Sequence, residues 1–123
     1  MPREFNRTRR IAEQLQRELA QLVREEVKDP RLGLVTVVGA EVSRDLSHAR
    51  IYVTLLSGDA EARKTSVDIL NRSAGMLRGF IGRRMRLRMV PQLHFQYDNS
   101  IEQGAELSAL IDAAVASDRK KDK

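Results

Sequence analysis

Apolar residues recur at helical spacing near the start of the chain and predict a first helix over residues 8–28. Thr8 is the expected N-cap, and Lys28-Asp29-Pro30 the expected end, because proline disfavours helical geometry at the residue before it. The apolar stripe of this helix consists of Ile11, Leu15, Leu19, Leu22 and Val23. The polar stripe opposite it consists of Arg10, Gln14, Arg17, Gln21 and Arg24.

Three later stretches have the pattern of β-strands. Residues 34–42 are rich in β-branched side chains, residues 43–47 are turn-like, and apolar and polar residues alternate over 48–56, which together predict a hairpin with one buried face. A third strand follows Pro91 over residues 93–97. His48 and His94 fall in predicted strands and are expected to be sheet-surface side chains, not metal ligands or catalytic bases.

Helical patterns fill the rest of the chain. They predict one helix up to about Arg72, a second before Pro91, and a last amphipathic helix after residues 98–100. The predicted fold class is therefore α+β, with a three-stranded sheet covered by helices. Residues 1–116 are expected to form one domain, and the charged residues 117–123 a short disordered tail.

Composition and charge narrow the function. The 123 residues are 41% hydrophobic and 32% charged, contain no cysteine and have no apolar run long enough for a membrane span, so a cytoplasmic protein is expected. The net charge of +5 is concentrated in two places. Residues 1–10 hold four Arg and one Glu, and residues 69–97, termed here the basic segment, hold six Arg and no acidic residue. Because arginine forks match phosphate oxygens, this pattern favours a nucleic-acid partner.

The centre of the basic segment, residues 73–88, allows several interpretations. Gly79-Phe80-Ile81-Gly82 matches the GxxG loop of KH domains, but apolar residues would be poorly suited to face a nucleic-acid backbone there. Placed on a helix, the apolar residues share one arc that should enter the core: Met76, Leu77, Phe80, Ile81 and Met85. The helical interpretation is therefore preferred. Arg84 falls inside the apolar arc and has no explanation from the sequence.

The opposite arc of that helix is the predicted RNA contact. Its main members are Arg78, Arg83 and Arg86, with Gly79 and Gly82 between the arginines. Two glycines cost a helix about 2 kcal/mol relative to alanine, so they need a reason: either close packing against another element, or close approach of an RNA backbone. The full predicted RNA-binding set also includes Arg72, Arg88, Arg7, Arg9 and Arg10.

Other functional classes have weaker support. No Gly-Lys-Ser or Gly-Lys-Thr follows the glycines, as a P-loop would require, and no acidic or histidine cluster has metal-ligand spacing. No activated nucleophile is apparent, and neither an enzyme activity nor a cofactor or metal is expected. A basic membrane-surface helix would leave the sheet uncovered, so no membrane partner is expected. A protein-interaction module stays open as an alternative.

The predicted order α-β-β-α-α-β is that of a type II KH domain, and several segments resemble the bacterial ribosome-binding factor A family. They are KDPRLG at residues 28–33, ARIYV at 49–53, RLRMVPQLHF at 86–95 and YDNSIEQG at 97–104. The resemblance implies a single KH-like domain that binds the free, immature small (30S) ribosomal subunit. It also implies a role in late maturation of 16S rRNA in its 5′ region, support of growth in the cold, and no enzymatic activity.

The family carries an Ala-x-Gly kink between its two central helices in place of the KH loop. This sequence has Ser73, Ala74 and Gly75 there, so the first alanine is replaced by serine. We expect the kink to persist, because serine is small and can bond to local backbone. Gly75 is expected to adopt a backbone conformation that is costly for other residues. The expected partners are the small subunit and its 16S rRNA, with ribosomal proteins as further contacts of a monomeric chain.

Overall fold

The predicted order of elements is confirmed by the structure, a computed structural model that describes residues 3–99 and the side chains from Arg7 onward. The elements are α1 (Arg3–Glu26), β1 (Val35–Val42), β2 (His48–Leu55), α2 (Ala60–Arg72), α3 (Ala74–Met85) and β3 (Gln92–Tyr97). The predicted last helix and the tail at 117–123 lie outside the described residues.

The three strands form one sheet in the order β1-β2-β3. β1 and β2 pair antiparallel, as the predicted hairpin requires, and β3 pairs parallel to β2, with Ile51 opposite Phe95. The register between β1 and β2 shifts between Val37 and Gly39, which leaves the intervening Val38 partly exposed. The bulge shifts the alternation along β1 by one residue, so that Val35 and Val37 before it and Ala40 and Val42 after it all pack in the core.

One face of the sheet is buried under the helices, as predicted. The inward residues of β2, from Ala49 to Leu55, alternate with outward polar residues such as Arg50. The core also takes Leu15, Leu19 and Leu22 from α1 and Leu77 and Ile81 from α3, all of which are fully buried. The arrangement is a KH-like α+β domain, in which α1 packs on β1 and both α2 and α3 pack against β3.

The first helix differs from its predicted bounds. It begins at Arg3 and ends at Glu26, so Thr8 lies inside the helix and its assignment as N-cap is wrong. No proline or glycine interrupts residues 3–8, so the helical backbone continues towards the N-terminus beyond Thr8. The loop that follows α1 is attached to α2, because the backbone N–H of Gly33 donates to the buried hydroxyl of Ser66 at 3.1 Å.

Aspartate side chains order the segments on either side of β2. The turn after β1 is built around Asp45, whose carboxylate accepts hydrogen bonds from the Ser43 and Ser47 hydroxyls and the Ser47 backbone. These bonds, first of all the one from the Ser47 hydroxyl, lower the pKa of Asp45 from 3.8 to about 2. After β2, Asp59 is the N-cap of α2 and accepts from the backbone of Ala62 at 2.9 Å.

The break between α2 and α3 is present but narrower than predicted. Ser73 alone separates the two helices, with φ of −86° and ψ of −2°, and its N–H donates to the carbonyls of Ile69 and Leu70. Ala74 and Gly75 already belong to α3. The expectation of an unusual backbone at Gly75 is wrong, because Gly75 lies within α3 and has no positive φ. Among the described glycines, only Gly58 has one. A Cβ atom at Gly75 would meet no atom within 4 Å.

Candidate RNA interface

The centre of the basic segment is a helix, as the apolar arc predicted. Gly79 and Gly82 both lie within α3, and Ile81 between them is fully buried, so the GxxG match does not form a KH loop. Leu77 is also fully buried, and Phe80 and Met85 are packed against the core. Met76 departs from the prediction, since 44% of its surface is exposed.

Arg78 has a contact that the helical wheel did not indicate. Its guanidinium donates through Nη2 to the carbonyl oxygen of Val90 at 2.8 Å and through Nε to that of Pro91 at 3.1 Å. The side chain is half-buried, and it joins the middle of α3 to the segment that precedes β3. Arg78 therefore lies away from the buried side of α3, but its guanidinium is bound by backbone carbonyl groups of the same chain.

Arg84, which the sequence left unexplained, connects α3 to α1. Its guanidinium lies 3.2 Å from the carboxylate of Glu18 and 3.4 Å from that of Glu25, and it also contacts Gln21. The pKa of Glu25 is lowered, first by the hydrogen bond from Gln21 and further by Arg84. The apolar arc is thus compatible with a charged residue because α1 presents acidic partners at that position.

Arg83, Arg86 and Arg88 remain at the surface near the end of α3. Arg83 lies over the Phe80 ring, with its guanidinium carbon 4.8 Å from the ring centre. The guanidinium groups of Arg86 and Arg88 have no hydrogen-bond or ion-pair partner among the described side chains, which are those of residues 7–99, and both residues are exposed. The prediction that Arg86 continues the helical arc is wrong. Arg86 is the C-cap of α3 and has a left-handed backbone, with φ of 51°.

Gly79 and Gly82, two of the three glycines of α3, have different surroundings. A Cβ atom at Gly82 would lie 3.1 Å from Cγ2 of Val90, which is tighter than an ordinary contact. A Cβ atom at Gly79 would meet only Nη1 of Arg83, at 3.7 Å. Of the two explanations left open by the sequence, close packing therefore accounts for Gly82, whereas Gly79 lies on an exposed surface beside an arginine.

The N-terminal arginines lie towards the other end of α1 from its contact with Arg84. Arg7, Arg9 and Arg10 lie in the first two turns of the helix and are exposed. Arg10 and Arg17 lie on the same polar stripe of α1 as Gln21, which accepts a hydrogen bond from Arg84 at 3.3 Å. At 1.5 Å of rise per residue, Arg10 is roughly 16 Å from Gln21 along the helix axis. Glu18 and Glu25 lie at the contact of α1 with Arg84, between the N-terminal arginines and α3.

Arg72 lies apart from that group. It is in the last turn of α2 and lines a groove with the end of α1, Ser73 and Met76. Asp29 lies in the same groove, and its hydrogen bonds from Arg31 lower its pKa to about 2, with a smaller contribution from Arg72. Arg72 therefore borders a groove of mixed charge.

The outward face of the sheet holds a pair that sequence reasoning missed. His48 and His94 are exposed, as predicted, but Nδ1 of His48 lies 2.9 Å from Nε2 of His94. The parallel register of β2 and β3 brings them together, and a separation of 46 residues gave no indication of it. The described residues contain no cluster of three or more side chains suited to hold a metal ion.

Asn71 is a further residue that the sequence did not single out. It lies two residues before the helix break, and its amide group exchanges two hydrogen bonds with the backbone of Phe95, at 2.7 and 3.0 Å. The side chain thereby satisfies backbone groups on the outer edge of β3 and fixes α2 against that strand.

Within residues 3–99, no helix has the length and apolar character needed to cross a bilayer.

Comparisons with known proteins agree with this architecture. The sequence profile of the family described as ribosome-binding factor A matches residues 7–111. Ribosome-binding factor A of Thioalkalivibrio sulfidiphilus is 59% identical over 119 residues, covering 97% of this chain and 92% of that protein. The crystal structure of ribosome-binding factor A from Thermus thermophilus is 30% identical, with a TM-score of 0.64, and the match covers 73% of this chain and 94% of that one.

A second structural match concerns an assembly. It is a homology model of the Thermus thermophilus ribosome-binding factor A, fitted into a cryo-electron-microscopy map of a complex between that protein and the 30S subunit. This model is 32% identical to the present chain, with a TM-score of 0.58, and the match covers 71% of this chain and 90% of that one.

Proposed function

Since the chain belongs to the ribosome-binding factor A family, we propose that it binds the free, immature small ribosomal subunit by contacting 16S rRNA. In this proposal it assists late maturation of the 5′ region of that rRNA and supports growth in the cold. The chain acts as a monomer in the cytoplasm, with ribosomal proteins as additional contacts. Residues 1–116 form the binding domain, and residues 117–123 a short tail.

The observation that carries the proposal is the exposed arginine surface at the end of α3. Arg83, Arg86 and Arg88 follow one another within six residues, and the basic segment around them contains no acidic side chain. Phosphate oxygens are the natural partner of such a group, because arginine donates in a planar fork and keeps its charge at neutral pH. The complex between a relative and the 30S subunit supports ribosomal RNA as the appropriate polyanion.

Binding, and not catalysis, is the proposed mode of action. Arginine contacts to phosphate position a protein on RNA, and the affinity they give depends on salt because each contact releases counterions. The proposed contact set is Arg83, Arg86 and Arg88, with Gly79 beside them and Arg7, Arg9, Arg10 and Arg72 in support. No cofactor or metal takes part. A generic KH-like RNA-binding protein or a protein-interaction module is the alternative.

Sedimentation separates these alternatives. In extracts of cells grown in the cold, the chain should migrate with free small subunits and not with 70S ribosomes or membranes. Deletion of its gene should increase the fraction of 16S rRNA with an unprocessed 5′ end, and expression of the parent chain should reverse this. Migration with unrelated RNA, or with proteins after ribonuclease treatment, would instead support one of the alternative classes.

Salt dependence tests the contact residues. Binding of the labelled chain to purified small subunits is measured over a series of salt concentrations, for the parent and for the variant Arg83→Gln/Arg86→Gln/Arg88→Gln. Each phosphate contact contributes about 0.7–0.9 to the slope of log K against log salt, so the variant should lose about 2–3 of that slope. Arg44→Gln, a change of one exposed arginine in the β1–β2 turn, is the control. An unchanged slope in the triple variant would place the RNA contact elsewhere, with Arg10, Arg17 and Arg24 as the next candidates.

A further inference from the structure

The segment between α3 and β3, residues 86–91 and termed here the arginine loop, is attached to α3 at several points. The backbone N–H of Arg86 donates to the carbonyl oxygen of Gly82 at 3.2 Å. Further along, Leu87 and Val90 are packed against the core, and Pro91 is fully buried. Arg86 and Arg88 alternate with these anchored residues and are exposed. The two arginines are therefore presented from a backbone that is held on both sides of them.

Arg78 makes the longest-range attachment of the loop. Its Nη2 and Nε atoms, which lie on one edge of the guanidinium, reach the consecutive carbonyl oxygens of Val90 and Pro91 at 2.8 and 3.1 Å. A charged donor strengthens such bonds, and a planar fork fixes the relative position of its two acceptors. A lysine keeps the charge at this position, but its three N–H donors radiate from one nitrogen on a flexible stem, so it does not reproduce the rigid planar fork.

Gly82 belongs to the same attachment. Since a Cβ atom there would lie 3.1 Å from Cγ2 of Val90, glycine lets the loop lie directly on the helix. Arg78 and Gly82 are four residues apart and therefore neighbours on one side of α3. The same side of α3 therefore contacts both the carbonyl groups of Val90 and Pro91 and the side chain of Val90.

We propose that Arg78 is a positioning residue, which holds the arginine loop in the conformation that presents Arg86 and Arg88 to RNA phosphates. This rests on the proposed function and assigns Arg78 a role different from direct phosphate contact. A loop already ordered in the free protein does not have to be ordered on binding, so the affinity from its two arginines is greater. Loss of the Arg78 fork should weaken binding through those arginines alone.

A double-mutant cycle distinguishes positioning from direct contact. Affinity for purified small subunits is measured for the parent, Arg78→Lys, Arg86→Gln/Arg88→Gln, and the combination of all three changes. Arg78→Lys should weaken binding about tenfold in the parent and less than twofold when Arg86 and Arg88 are already glutamine. Parent-like affinity of Arg78→Lys would overturn the proposal, and so would an equal loss in both backgrounds. Arg84→Lys is the matched control, because Arg84 contacts α1 and not the loop.

Two further measurements keep the test decisive. If Arg78→Lys does not fold, Val90→Ala loosens the same loop without changing a charge, and it should show the same dependence on Arg86 and Arg88. Amide hydrogen exchange at residues 87–90 reports the loop without RNA, and it should accelerate in Arg78→Lys; unchanged exchange refutes positioning. If Arg86→Gln/Arg88→Gln binds as the parent does, the loop does not present these arginines to RNA and the proposal is overturned, even where exchange accelerates in Arg78→Lys. The proposed function is tested separately, by sedimentation with free small subunits.

Discussion

Alanine substitution of the glycines in α3 tests the local geometry most directly. Glycine costs the interior of a helix about 1 kcal/mol relative to alanine, so each substitution should stabilise the protein unless the new methyl group meets an obstacle. At Gly79 a Cβ atom would make only an ordinary contact of 3.7 Å with the flexible end of Arg83. Gly79→Ala should therefore raise the free energy of unfolding by about 0.5–1 kcal/mol.

Gly82→Ala should behave differently, although it lies on the same helix three residues away. The new methyl carbon would lie 3.1 Å from Cγ2 of Val90, so either the loop or the helix must shift. We expect the cost of that shift to cancel the gain in helix propensity, leaving Gly82→Ala about 1 kcal/mol less stable than Gly79→Ala. Gly82→Leu, which inserts a larger group against the loop, should destabilise the parent by about 1–3 kcal/mol.

Gly75→Ala tests whether Gly75 has ordinary helical geometry or the strained backbone of a kink. Gly75 has helical geometry and open space around its Cα, so alanine should be neutral or stabilising by up to about 1 kcal/mol. Ser73→Ala is the accompanying control for the helix break. Its hydroxyl makes no capping hydrogen bond to α3, so its loss should change stability by less than about 0.5 kcal/mol.

Equilibrium unfolding in urea, followed by circular dichroism, gives these differences directly. A change of 1 kcal/mol corresponds to a shift of about 4 °C in the melting temperature of a chain of this size, so thermal melts provide a second measure. The reasoning is refuted if Gly82→Ala stabilises as much as Gly79→Ala does, because Val90 would then not limit the space at Gly82. A loss of more than about 1 kcal/mol in Gly75→Ala would contradict the helical geometry of that residue.

Two further predictions concern charged groups. The pKa of Asp45 is lowered from 3.8 to about 2 in the folded protein. The stability that the ionised carboxylate contributes is therefore complete above its ordinary pKa and is lost as the pH falls towards 2. Asp45→Asn should flatten the fall in melting temperature between pH 4 and pH 2, and an unchanged profile would contradict this role. Arg84→Gln should destabilise the fold by about 0.5–1 kcal/mol, and in a double-mutant cycle with Glu18→Gln its effect should shrink, whereas purely additive losses would mean that the Arg84–Glu18 pair contributes nothing.

The sequence by itself determined the order of the elements and the buried face of each. Helical spacing at Leu15, Leu19 and Leu22 and alternation along β2 identify core residues, because burial of apolar side chains follows the period of the backbone. The apolar arc of α3 excluded the GxxG loop for the same reason. The arginine-rich, acid-free composition of residues 69–97 was also readable directly, since charge is a property of composition.

Only the tertiary structure decided what each arginine does. Helical phase placed Arg78 with Arg83 and Arg86, and it placed Arg84 in the apolar arc without a reason. The partners come from elsewhere: the carbonyl groups of Val90 and Pro91 for Arg78, and the acidic side chains of α1 for Arg84. The same holds for Gly82 and Val90, and for the pairing of His48 with His94 across parallel strands. Periodicity specifies which way a side chain points from its own element, whereas the group it meets depends on how distant segments pack together.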